Sequence, residues 1–125
     1  MAAIKLDPNG KKLTAEIASG SPHVVGVDLT VFDMNGNQTE KCQGAITDKS
    51  NTIDFPLKNA PAAYDGFQIQ ATCDFKSPNG DDAAPVKATY QLLEDGQVVQ
   101  PTISITGNTE GGTFKDTEIF DVTAK

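Results

Sequence analysis

The stretch FQIQATCDF, residues 67–75, decides the fold. Its side chains alternate without a break. Phe67, Ile69, Ala71, Cys73 and Phe75 fall on one side; Gln68, Gln70, Thr72 and Asp74 fall on the other. A period of two marks a strand with one face buried and one face wet. The pattern recurs outward in both directions. VGVDLTV (25–31) alternates through Val25, Val27, Leu29 and Val31, and VKATYQL (86–92) through Val86, Ala88, Tyr90 and Leu92. TIDFPL (52–57) offers Ile53, Phe55 and Leu57; its Pro56 cannot donate to a ladder, which places this strand at a sheet edge. Weaker strands are read in IKLD (4–7), KLTAEIA (12–18), QTEKCQGAIT (38–47), QVVQPTISIT (97–106) and TEIFDVT (117–123). The thirteen Thr residues suit such strands, because a β-branched side chain packs on the pleat.

The connections carry turn chemistry. DMNGNQ (33–38) and LEDGQV (93–98) place Asn-Gly and Asp-Gly between strands, the strongest short hairpin signal. Pro-Asn-Gly occurs twice, in DPNGK (7–11) and SPNGD (77–81), and reads as a type I turn closed by a glycine in the left-handed region. Four hairpin-type turns predict a mostly antiparallel sheet. About seven to nine short strands at this spacing predict one all-β domain over residues 1–125, an antiparallel β-sandwich, with a small β-barrel as the alternative.

The architecture is immunoglobulin-like in outline. Cys42 and Cys73, 31 residues apart, invite the comparison. An immunoglobulin domain has a core Trp between its cysteines and a Tyr two residues before the second. This chain has no Trp, and that position is Ala71. The likeness is therefore one of layering, not of family. The two cysteines have two readings: an inter-sheet disulfide, or two buried thiols acting as small hydrophobes.

The net charge is −7 and the ten basic residues are all Lys. Arg is the preferred residue for bidentate phosphate and guanine contacts, so an acidic chain without it argues against nucleic acid. An anionic membrane surface is disfavoured on the same ground. No apolar run approaches the roughly 20 residues of a spanning helix. The start, MAAIKLDPNG, has neither the charged n-region nor the apolar h-region of a signal peptide.

Catalytic equipment is sparse. There is no GxSxG, and the single histidine, His23, sits at the lip of a strand. A zinc site would need both cysteines, which lack CxxC spacing. DMNGNQTEKCQG (33–44) opens like a calcium loop at Asp33, Asn35 and Asn37, but has Gln38 where glycine is needed and Gly44 where glutamate is needed. The hairpin reading takes precedence, and no metal or cofactor is assigned. Loop tips are the remaining sites on a rigid sandwich. The candidates are Asn79, Asp81 and Asp82 in NGDD (79–82), where an acidic extension follows Gly80, together with Tyr64 and Asp65 in YDG (64–66).

The expectation is a non-enzymatic structural or interaction module. It would be a component or decoration protein of a virion or comparable surface assembly, with protein partners through self-assembly or a host assembly. The alternative is a secreted or periplasmic recognition module for glycans or a cell-surface protein. That alternative predicts an oxidised Cys42–Cys73 pair and an exposed aromatic at Tyr64.

Overall fold

Among the described residues nine strands build two stacked sheets, antiparallel throughout except where β1 meets β9. In chain order they are β1 (Ala2–Lys5), β2 (Leu13–Ser19), β3 (Val24–Phe32), β4 (Gln38–Ile46), β5 (Thr52–Pro56), β6 (Gln68–Lys76), β7 (Pro85–Glu94), β8 (Gln97–Asn108) and β9 (Thr113–Thr123). One turn of 3-10 helix, Pro61–Tyr64, precedes β6. The computed structural model describes residues 2–20, 24–47, 51–77 and 83–125.

The larger sheet runs β1-β9-β6-β3-β4 and the smaller β5-β2-β7-β8. β6, the strand of FQIQATCDF, lies central, between β9 and β3. Its Ile69, Ala71, Cys73 and Phe75 are all 1% exposed or less. Opposite them, Leu13, Ala15 and Ile17 of β2 and Val86, Ala88, Tyr90 and Leu92 of β7 close the core. Each fully buried large aliphatic or aromatic side chain contributes about 1.5–3 kcal/mol relative to an exposed one. The expected sandwich is present, and Pro56 does sit on an edge strand, where β5 pairs with β2 alone.

The connectivity departs from expectation at both Pro-Asn-Gly turns. β1 pairs parallel with β9, whereas β2 belongs to the other sheet. Residues 7–10 are thus a crossover, not a hairpin. The turn itself forms: the Gly10 amide donates to the Asp7 carbonyl (3.0 Å) and the Asn9 amide to Asp7 Oδ1 (2.9 Å). Gly10 is absent from the glycines with positive φ; its lack of a Cβ instead makes room for the Glu94 carboxylate. Residues 77–84 likewise join β6 to β7 across the sheets, although 78–82 lie outside the described residues. A local reversal specifies backbone angles, not which sheet the next strand joins. The other two turns are hairpins, linking β3 to β4 and β7 to β8. In the second, Asp95 (φ 52°) and Gly96 (φ 83°) give the doubly left-handed pair that matches strand twist.

In an immunoglobulin sandwich the strands equivalent to β6 and β9 follow one another directly. Here they are neighbours in space, but β7 and β8 intervene in sequence and complete the other sheet. The layering is shared and the order of connections is the chain's own.

Candidate interaction groove

The hairpin turn at 33–37 is held by one carboxylate. Asp33 Oδ1 accepts the amides of Asn35 and Asn37, both at 2.9 Å. The chain's own amides occupy the oxygen that a calcium loop would present, as the hairpin reading requires. Among the described residues no group of three or more His, Cys, Asp or Glu side chains could hold a metal ion.

This turn lifts Met34 into solvent, 73% exposed. Its side chain leans over Gly66, where a Cβ would stand 2.6 Å from Met34 Cγ. Gly66 has φ +80°, so a larger residue there would be both strained and in collision. Beneath Met34 opens a groove of about 580 Å³, lined by Phe32, Phe67, Gln68, Gln70 and Asp121 among others. Strand register explains its floor. Phe32 is paired with Gln68, and Gln68 with Asp121, so the three stand in a row across β3, β6 and β9. Gln68 Nε2 donates to Asp121 Oδ1 at 2.8 Å. The groove offers a thioether and phenyl rings for apolar contact and amide and carboxylate groups for hydrogen bonds. From the sequence, Phe67, Gln68 and Gln70 are legible only as members of an alternating strand, and none of the groove residues as part of this site. The available signal was the placement of Phe32 at the end of a strand and of Met34 within the hairpin turn that follows it.

The expected site residues lie elsewhere. Tyr64 is 1% exposed, not a loop-tip ring. Its hydroxyl donates to Glu40 Oε2 (2.5 Å) and accepts the Asn59 amide (3.1 Å), while Glu40 Oε1 accepts the Lys58 amide (2.9 Å). Glu40, only 6% exposed, points inward from β4. Together they pin the segment before β6 to the larger sheet. The Tyr64 ring meets Phe67 edge to face at 5.6 Å. Burial, reinforced by the Glu40 carboxylate, pushes the Tyr64 phenol up to about 12. Asp65 is a staple too: its Oδ1 accepts the Ala124 amide at 2.9 Å. Asn79, Asp81, Asp82 and His23 lie outside the described residues.

Cys42 and Cys73 are free thiols. They sit on β4 and β6, paired with Leu29 and Val27 of the intervening β3. Two strand spacings alone put about 9–10 Å between them and the two-residue offset along β3 adds to it, well beyond the roughly 7 Å that a disulfide can span. An inter-sheet bridge is ruled out by placement in one sheet, and the buried-thiol reading holds for Cys73. Burial pushes its thiol up to about 11. Tyr90, fully buried, sends its hydroxyl across the sandwich to Asp116 Oδ2 (2.9 Å).

No family model, curated protein or solved structure matches the chain, so the geometry alone carries its functional reading.

Proposed function

We propose that the chain is a non-enzymatic interaction module that takes a place in a protein assembly, as a virion component or decoration protein does, and that the Met34 groove is its contact surface. One observation carries this reading: a flexible apolar side chain stands 73% exposed over a groove flanked by Phe32 and Phe67. Such an arrangement is costly in solvent and suits a protein partner, since Met adapts its shape to the surface it meets. The polar floor supplies direction through hydrogen bonds, as interface rims do.

The test is a photo-crosslinking residue at position 34, compared with one at Thr117, exposed on the same sheet face. Crosslinks to protein at 34 and none at 117, lost in the crosslinker-bearing Gly66→Val variant, are the expected result. Equal labelling at both positions, or none at 34, overturns the reading. A second reading, glycan recognition, is favoured by Gln68, Gln70 and Asp121, whose polar groups can bond sugar hydroxyls. It has lost its expected aromatic platform, because Tyr64 is buried. Binding on a glycan array that disappears in Gln70→Ala would establish it instead.

A further inference from the structure

β8 and β9 begin as a hairpin and then part. Glu110 and Thr113 exchange backbone hydrogen bonds across Gly111-Gly112 (2.8 and 3.2 Å), after which the two strands enter opposite sheets. The gap between them is closed at the turn end by Phe114, whose ring packs on Gly107; a Cβ there would stand 2.8 Å from the ring. At the far end it is closed by β1, which pairs with residues 120–123 of β9.

Between these stops the seam is open among the described residues. β8 pairs with β7 alone, and no described strand pairs with the second edge of β9 over residues 113–119. The inward side chains register the opening. Ile103 and Ile105 face the core beside Tyr90 and Ala88, yet remain half-buried. Asp116 and Glu118 face inward from β9, opposite Cys73 and Ala71, and are half-buried as well. Phe120 and Val122, on the same strand but beside β1, are buried. Natural edges are usually blunted by proline, bulges or lysine. β8 has Pro101 and a register shift opposite residues 90–92, whereas residues 103–108 beside the seam have none of these devices and residues 113–119 of β9 have one, Lys115.

We infer that this seam accepts an extended strand from a partner protein, carrying a lysine or arginine that enters between the sheets to meet Asp116 and Glu118. Backbone groups of the two free edges supply the ladder, as in strand addition generally. Ile103 and Ile105 supply apolar contact. The two carboxylates select a cation, because a neutral strand would leave like charges crowded and partly desolvated. Burial and the neighbouring Asp116 already push the Glu118 carboxyl above its ordinary range. This surface is separate from the Met34 groove and does not depend on it.

The experiment selects linear peptides of about eight to ten residues from a display library against the intact protein. The expected winners alternate apolar and polar residues and carry one essential Lys or Arg. Their binding weakens about tenfold or more in Glu118→Lys and in part in Glu118→Gln, which keeps the side-chain shape. It returns in Glu118→Lys when the peptide's cation is exchanged for Glu, and it is unchanged in Met34→Glu. Bound peptide slows amide exchange within residues 103–107 and 113–119. Winners without a cation, protection confined to other strands, or no enrichment at all would overturn the inference.

Discussion

Tyr64 and Glu40 show what a single buried polar pair does here. One hydroxyl and one carboxylate satisfy the amides of Asn59 and Lys58 and each other. Tyr64→Phe keeps the ring contact with Phe67 and removes only the oxygen. It leaves the Glu40 carboxylate short of a donor at a nearly dry position, and an unsatisfied buried group costs about 1–3 kcal/mol. The expected outcome is a lower Tm without loss of fold, read by thermal melting with circular dichroism; an unchanged Tm would show that water replaces the hydroxyl. At this scale the sequence was half legible. Ile69, Cys73, Phe75 and Tyr90 follow from parity alone. Tyr64 does not, because it lies in a 3-10 turn where period two says nothing. Glu40 shares parity with Cys42 and Ile46, but an inward glutamate is credible only once its partner is known. Met34 needed the hairpin geometry before its exposure had meaning.

The crossover between the sheets and the β7–β8 hairpin are coupled through Asp95. It lies in the β7–β8 hairpin, yet its Oδ1 accepts the amides of Lys11 (3.1 Å) and Lys12 (2.9 Å) from the crossover. Glu94 Oε1 accepts the Asp7 amide nearby at 3.0 Å. Asp95→Gly preserves the left-handed backbone and deletes only the carboxylate. These amides lie near solvent, so the loss is about 1 kcal/mol. Asp95→Ala adds left-handed strain of about 1–2 kcal/mol and is expected to be the worse variant in urea melts. The reverse order would mean that the extra freedom glycine gives the unfolded chain outweighs the left-handed strain of alanine. Elements were the most legible scale: strand faces, the edge position of β5 and both true hairpins follow from alternation and Asx-Gly pairs. The Pro-Asn-Gly crossovers were misread because turn residues encode a change of direction, whereas sheet membership is decided by distant contacts such as those of β1 with β9.

The whole molecule leans toward its protonated forms. The layered sandwich itself follows from composition and alternation, but the distribution of its charge does not, because that depends on which strands meet. Among the described residues every resolved shift is upward. Glu16 is raised by hydrogen bonding to Asp54, its direct partner on β5, and by burial. Glu118 is raised by burial and by Asp116. Cys73, Tyr64 and Tyr90 are raised chiefly by burial. A raised pKa means that the folded state binds more protons than the unfolded chain between the two values. Stability must then fall as pH rises through that window, and is fully present below it. The carboxyl window opens just above the ordinary 4.5. The phenol and thiol windows open near 10.0 and 9.0 and run to about 12 for Tyr64 and about 11 for Cys73. A net charge of −7 acts in the same direction, since repulsion grows as carboxylates ionise. Thermal melts are therefore expected to show the highest Tm near pH 5, a modest decline toward neutrality, and a second, steeper decline above about pH 9. Glu16→Gln removes one member of the carboxylate pair and should flatten the first decline while leaving the second in place. A Tm that climbs from about pH 5 to pH 8 would contradict the sign of these shifts, and would mean that ion pairs of the surface carboxylates outweigh the crowded ones.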